Sequence, residues 1–392
     1  MITNRVPYPP NSGYPIAVFN TLYGLDRQGA KVSVFALNTL KHFVDPAKVT
    51  DPLFERVQLV SSQIDTGIYW HKALLNLFSS ASYNISRFWS SAVAEDLRKF
   101  LQQNKVDVVQ LEGLFVMPYV DVIRKYSQAK IVYRMHNVEY HIWQQLAFAE
   151  KNPVKKAYLS LLTRRLHKYE ADTLNWPDAI FTMTSVNEAE VRKMGGTKPV
   201  GNFPISLNLK NYLVKEAQAE HPGIFHLGSM DWLPNLEALE WFLQNIWPTV
   251  TARFPDVKFY IAGRGIPERF TGMGKNVVIV SNVPDAVEFM NSKSIMVVPL
   301  LSGSGMRVKI LEGLALAKCI VSTTLGAEGI EVTDNNNILL ADTPESFADA
   351  LMRCIADKDL CTRLGNEGRK LIEARYEAEV MAGEMMKFYE RL

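Results

Sequence analysis

The residues best equipped for chemistry lie in one run, Ser302-Gly303-Ser304-Gly305-Met306-Arg307-Val308-Lys309-Ile310-Leu311-Glu312. An apolar β-branched stretch ends just before it, two glycines let the backbone turn tightly, and helical spacing begins at Met306. Free amides at that helix start, its positive dipole end and the cations Arg307 and Lys309 make an anion site suited to a diphosphate. Cations in a first turn oppose the helix dipole, and a bound anion resolves the conflict. The alternative is two solvated side chains on a surface helix. Glu312 lies five residues beyond Arg307 and three beyond Lys309, about one turn deeper. A carboxylate there can accept hydrogen bonds from ribose hydroxyls of a nucleotide whose phosphates occupy the helix start. Its alternative is a surface pair with Lys309.

The N-terminal half offers two further candidates. In Arg134-Met135-His136-Asn137-Val138-Glu139, His136 follows a predicted strand, at the rim where open α/β sheets bind ligands. Glu112, in Gln-Leu-Glu-Gly, ends another predicted strand on the same rim and is an acceptor-side candidate, with a solvated loop carboxylate as the alternative.

The elements that must position these groups alternate between short β-branched runs and helix-length periodic segments, the pattern of parallel sheets. Strands are predicted at Ile224–Leu227, Val257–Ala262, Val277–Val280, Ser294–Val298, Cys319–Ser322 and Ile338–Leu340, with helices over Pro234–Ile246 and Met306–Ala317. The N-terminal half reads less cleanly, with strands near Lys31–Leu37, Val106–Leu111, Lys130–Met135 and Ala179–Met183. A Pro- and Asn-containing stretch, Phe203–Asn211, marks the boundary between two α/β patterns, giving domains over 1–205 and 206–374. The opening is short: only Met1–Thr3 precede the loop Asn4–Gly13, where about five strand residues are usual, which points to a start upstream.

Composition sets the class. A chain of 392 residues exceeds one hydrophobic core and suits two domains. A formal net charge of +2 argues against a nucleic-acid binder. Cys319, Cys354 and Cys361 are odd in number and spaced unlike zinc ligands, which fits a reducing cytoplasm. No apolar run reaches a membrane span, and the first residues lack a signal-peptide core. Two stretches bear on peripheral contact: His71–Val93, rich in aromatic and aliphatic residues, and Lys155–Lys168, where basic residues interleave with leucines. A basic amphipathic helix can lie on the inner, anionic face of a membrane or pack one face on its own core.

Several ordered motifs together resemble family 4 retaining glycosyltransferases of GT-B type. They are Gly-Ser-Met-Asp-Trp-Leu-Pro-Asn (228–235), Ala-Gly-Arg-Gly (262–265), Gly-Ser-Gly-Met-Arg-Val-Lys-Ile-Leu-Glu-Gly-Leu-Ala (303–315), Thr-Leu-Gly-Ala-Glu-Gly (324–329) and, near the start, Asn-Arg-Val-Pro-Tyr-Pro-Pro-Asn-Ser-Gly (4–13). The resemblance implies an α/β fold of two Rossmann-like domains facing each other across a cleft, with a last helix, about 375–392, packing back on the first. It implies that a hexose moves from a nucleoside diphosphate sugar to a saccharide or lipid-linked saccharide hydroxyl in polysaccharide or glycoconjugate synthesis, with retention. It assigns Arg307 and Lys309 to the diphosphate, Glu312 to the ribose, the turns at Gly263 and Val283-Pro284 to the nucleobase, and His136 to the donor sugar. Gly13, Gly228 and Gly305 line the donor by the same likeness.

Two positions depart from the family. Its glycine-rich first loop is reduced to Ser12-Gly13, followed by Tyr14. Its two glutamates separated by seven residues become Ser304 and Glu312. A serine binds a sugar hydroxyl more weakly than a carboxylate does, so the amides around Gly303–Gly305 would carry more of the hexose contact. With two cations stabilising the leaving diphosphate, neither metal nor other cofactor is expected. The rival readings are a nucleotide-sugar epimerase on the same architecture and a donor-binding protein that has lost transfer.

Overall fold

A computed structural model of the chain describes residues 1–215, 219–303 and 305–392. The chain divides into two compact units, Met1–Ser206 together with Met381–Leu392, and Leu207–Val380.

The first unit runs β1 (Ile2–Thr3), α1 (Gly13–Arg27), β2 (Ser33–Thr39), β3 (Gln58–Ile64), α2 (Trp70–Leu77), α3 (Tyr83–Ser86), α4 (Ser91–Gln103), β4 (Val108–Glu112), α5 (Val120–Tyr126), β5 (Lys130–Met135), α6 (Glu139–Ala149), α7 (Pro153–Thr173), β6 (Ala179–Thr182), α8 (Ser185–Lys193) and β7 (Val200–Asn202). Its seven strands form one sheet in the order β3-β2-β1-β4-β5-β6-β7, and every pairing is parallel. Strand order reverses between β1 and β4, which places a crevice beyond their carboxyl ends. There β1 pairs Thr3 with Glu112. Two strands went unread in the sequence. β3, Gln-Leu-Val-Ser-Ser-Gln-Ile at a sheet edge, lacks a clean alternation and looks polar, and β7 is only three residues long. Met381 and Met385 join Val132, Phe181 and Phe203 in one core cluster, so the C-terminal residues complete this unit's hydrophobic interior.

The second unit comprises β8 (Glu220–Ser229), α9 (Leu233–Asn245), α10 (Trp247–Arg253), β9 (Lys258–Arg264), β10 (Val277–Ser281), α11 (Ala286–Asn291), β11 (Lys293–Val298), α12 (Val308–Ala315), β12 (Cys319–Ser322), β13 (Leu339–Leu340), α13 (Pro344–Ala356) and α14 (Lys358–Arg375). A further helix, α15 (Ala378–Tyr389), carries the chain from this unit into the first. The sheet order is β10-β9-β8-β11-β12-β13, again parallel throughout, with the reversal between β8 and β11. Local sequence explains the helices that frame it. Pro234 sits in the first turn of α9, where its missing N–H is no loss, and Thr343 with Ser346 closes a capping box on α13. Apolar side chains from β8, β9, β11 and β12 pack under α9, α13 and α14, with Trp247, Phe242 and Phe347 at the centre of the core. Among the described residues no helix is long and apolar enough to cross a membrane.

Candidate active site

The strand reversal of the second unit gathers most of the residues singled out there. β8 ends in Gly228-Ser229, and the chain leaving β11 passes through Gly303 and Gly305, both at positive φ, before entering α12. The helix begins at Val308 rather than Met306. Arg307 is its N-cap, in an extended conformation with φ −89° and ψ 97°. Arg307 therefore stands before the first turn, not in it, while Lys309 lies inside that turn. Arg307 is buried, donates to the Gly305 carbonyl and sets its guanidinium 5.3 Å from the Trp232 ring. Burial lowers its pKa, against the opposing charge of Glu328, but an arginine stays charged.

Lys309 is held by two groups that sequence reasoning did not single out. Its Nζ donates to Asn235 Oδ1 at 2.9 Å and lies 3.3 Å from His226 Nε2. His226 is fully buried in β8 and its Nδ1 is 2.9 Å from the Val297 carbonyl. That contact requires the proton on Nδ1, which leaves Nε2 as the acceptor for the ammonium. Burial and the neighbouring Lys309 charge keep His226 well below its ordinary pKa, so the ring is neutral. Asn235 is oriented in turn by donating to the Ser229 carbonyl at 2.8 Å. The signal for His226 was a polar residue inside the apolar strand Ile-Phe-His-Leu. For Asn235 it was its place after Pro234 at the start of α9.

Two glycines make this packing possible. A Cβ on Gly228 would sit 2.7 Å from Asn235 Nδ2 and 3.0 Å from Lys309 Nζ. Gly263, its partner across β8 and β9, has φ +139°, and a Cβ there would run into the Gly228 carbonyl. Gly263 also accepts a hydrogen bond from the Asn282 amide at 2.8 Å, which ties the turn after β9 to the turn carrying half-exposed Val283.

Glu312 lies one turn into α12, partly buried, and accepts a hydrogen bond from the Tyr212 hydroxyl at 2.9 Å. The electrostatics of Lys309 and Glu312 mirror each other. Burial, reinforced by Arg307 and opposed by Glu312, lowers Lys309 to about 7. Burial, opposed by Tyr212 and Lys309, raises Glu312 to about 7. Both groups thus resist charging in the unliganded protein, and an anion at the helix start would favour the charged lysine. Glu328 adds a carboxylate whose Oε2 is buried and has no hydrogen-bond partner among the described residues. Ser304 lies outside the described residues.

In the first unit the structure joins His136 to Glu112. His136 Nε2 lies 2.5 Å from Glu112 Oε2, and the Tyr14 ring packs on the imidazole at a centroid distance of 4.7 Å. Glu112, expected as a rim carboxylate facing an acceptor, is fully buried. Its other oxygen takes a hydrogen bond from Gln110 and lies 3.8 Å from the buried Arg134 guanidinium. Burial pushes Glu112 upward, but Arg134, His136 and Gln110 outweigh it and hold the carboxyl below its ordinary value. Its hydrogen bond fixes the orientation of the His136 ring. His136 itself is lowered, chiefly by burial, although Glu112 favours its charged form. Gly13 opens α1 and is exposed, while Tyr14 beside it accepts from the Asn4 amide and donates to the Glu112 carbonyl, each at 3.1 Å.

Comparison with known proteins agrees with this reading of the fold. Residues 221–357, within the second unit, match the family model described as glycosyl transferases group 1. An "Uncharacterized 44.6 kDa protein in cps region" of Klebsiella pneumoniae is 22% identical over 89% of this chain and 88% of its own length. A phosphatidyl-myo-inositol mannosyltransferase of Mycolicibacterium smegmatis is 27% identical over 36% of this chain and 39% of its own. Among solved structures, sucrose-phosphate synthase of Thermosynechococcus elongatus superposes with a TM-score of 0.70 at 16% identity, covering 100% of this chain and 98% of that one. Anabaena HepE in complex with UDP gives 0.69 at 11% identity, covering 100% and 99%. The chain has the fold of the GT-B glycosyltransferases.

Proposed function

We propose that this protein is a retaining glycosyltransferase that moves a hexose from a nucleoside diphosphate sugar to a saccharide or lipid-linked saccharide hydroxyl, without a metal. The observation that carries the reading is the helix start of α12. Lys309 stands there beside Gly228 and Arg307 beside Gly303, at the strand reversal where α/β sheets take nucleotides. Such a site stabilises a leaving diphosphate by two cations and free amides, so the charge a divalent ion would supply is already present. Glu312, one turn deeper, is the group we assign to the ribose hydroxyls, and to the base we assign the turns at Gly263 and Val283, which are tied by the Asn282–Gly263 hydrogen bond. In the first unit His136, oriented by Glu112, is the group we assign to the sugar being transferred.

The Anabaena structures contain UDP and UDP-glucose, which makes uridine nucleotides the first donors to test. Thermal-shift titration of the full chain with UDP-glucose and GDP-mannose should show stabilisation by at least one of them. Incubation of that donor with saccharide acceptors should then yield a glycoside of unchanged anomeric configuration. Stabilisation without transfer or hydrolysis would favour a binding protein, and conversion of the donor without an acceptor would favour an epimerase.

A further inference from the structure

α2 is a helix that buries nothing. Its sequence, Trp-His-Lys-Ala-Leu-Leu-Asn-Leu, is mostly apolar, yet no residue of it is buried. Trp70 is 79% exposed, Leu75 70% and Phe78, just past the helix, 89%. Ile68 and Leu74 extend the same outward surface. Apolar side chains normally fasten a helix to its core, and a cluster exposed on this scale marks an interaction site.

Backbone contacts hold this helix instead. Arg165 of α7 donates to the carbonyls of Asn76 at 2.8 Å and Leu77 at 3.1 Å, closing the last turn. The Tyr83 hydroxyl accepts from the Tyr69 amide at 3.1 Å, and Arg87 donates to the Thr66 carbonyl at 2.9 Å. The segment is fastened from behind with its apolar side chains facing out.

Charge identifies what that surface meets. No Asp or Glu occurs from Thr66 to Ala94, nor from Lys151 to Tyr169. The second stretch carries Lys151, Lys155, Lys156, Arg164, Arg165 and Lys168. The apolar face of α7 packs inward through Leu162 and Leu166, so this helix presents charge rather than inserting. At its start Val154 is exposed, about 16 Å along the helix from Arg165 at 1.5 Å per residue, and Phe148 is exposed near the end of α6. Beside them a groove of about 460 Å³ is lined by Lys156, Arg164, His167 and Tyr140. Lys168 pairs with Asp172 and Arg165 holds α2, but aromatic and aliphatic groups beside Lys155, Lys156 and Arg164 match an anionic lipid surface, with acyl chains for the one and phosphate headgroups for the other.

We infer that the first unit docks peripherally on an anionic bilayer, with Trp70, Leu74, Leu75 and Phe78 entering the lipid and the α6–α7 groove receiving a lipid phosphate. This goes beyond the transfer reaction and stands whichever sugar is moved. The test is sedimentation of the full chain with vesicles of phosphatidylcholine alone or mixed with phosphatidylglycerol. Wild type should bind the mixed vesicles, less so in high salt. Trp70→Ser with Phe78→Ser should weaken that binding about tenfold or more, and Lys155→Glu with Lys156→Glu should remove the preference for phosphatidylglycerol. UDP-glucose affinity without lipid should be unchanged in both pairs, so a failed donor assignment is seen separately. Wild type that ignores mixed vesicles, an apolar pair variant that binds them as wild type does, or a wild-type oligomer that this variant turns to monomer would each overturn the proposal.

Discussion

If Lys309 holds the diphosphate as a cation and Glu312 holds the ribose as an anion, donor affinity must pass through a maximum in pH. Lys309 is lowered to about 7 and Glu312 raised to about 7 in the unliganded protein. The binding-competent form carries both charges. Above neutrality Lys309 loses its proton, and below it Glu312 gains one. Treated as independent groups, about one quarter of the molecules are competent at pH 7 and about one twelfth at pH 6 or 8, and apparent affinity scales with that fraction. Affinity should therefore fall about threefold one unit either side of neutrality and about 25-fold at two units. Mutual attraction of the pair broadens the maximum without moving it.

The assay is calorimetric titration with UDP-glucose, whose diphosphate has no terminal monoester to titrate near neutrality. Repeating it in buffers of different ionisation enthalpy counts protons. Binding should take up most of one proton at pH 8, release most of one at pH 6, and exchange almost none at pH 7. Lys309→Met should abolish the alkaline limb and weaken binding by about 1.5–3 kcal/mol, the worth of a charge-assisted contact. Glu312→Gln should abolish the acid limb alone. Affinity independent of pH from 6 to 8, or a Lys309→Met profile that still falls above pH 7, would refute the assignment.

Other perturbations separate the remaining roles. Glu112→Gln strips the buried Arg134 and His136 of their carboxylate, so unfolding free energy at pH 7 should drop by about 3–5 kcal/mol in denaturant titration. Because the Glu112 pKa is depressed, its contribution is present above the ordinary carboxyl range and is lost on acidification through the folded value; the mutant's deficit should shrink there. Gly263→Ala forces a Cβ toward the Gly228 carbonyl at φ +139°; it should cost about 2 kcal/mol or more and lower nucleotide affinity, both visible in a thermal shift. Transferase activity should survive EDTA, and full loss restored by manganese or magnesium would overturn the two-cation proposal. Ser304→Glu should alter the preference among sugars sharing one nucleotide, read as ratios of kcat/KM, and a uniform shift across donors would displace this residue from the sugar.

Residues assigned to a ligand by the proposal and residues that hold them in place were unequally legible. Arg307 and Lys309 stood out because the sequence reads as two cations in the first turn of a glycine-preceded helix, against the dipole rule, although only Lys309 lies in that turn, and Glu312 because it follows one turn deeper. The parallel strands of the second unit were readable because burial on both faces produces continuous β-branched runs. β3 was not, since an edge strand can carry Ser and Gln at most of its positions, here four of seven. The partners of Lys309 were hidden for a different reason. His226 and Asn235 lie 83 and 74 residues before it and meet it only after β8 and β11 have paired. A single polar residue in a strand does not say which distant side chain it will face.

The same limit explains Glu112. Its position at a strand end, correctly placed within one residue, suggested a rim carboxylate open to an acceptor. What the strand end does not reveal is that Tyr14, Gln110, Arg134 and His136 close over it. A carboxylate sealed among two cationic-capable groups and an amide cannot meet a substrate, but it can fix a histidine. One hydrogen bond at 2.5 Å uses His136 Nε2 and leaves Nδ1 as the ring's remaining polar atom. The two residues that the sequence presents as independent are therefore one unit, an imidazole oriented by a carboxylate, and that orientation is what Glu112→Gln would release.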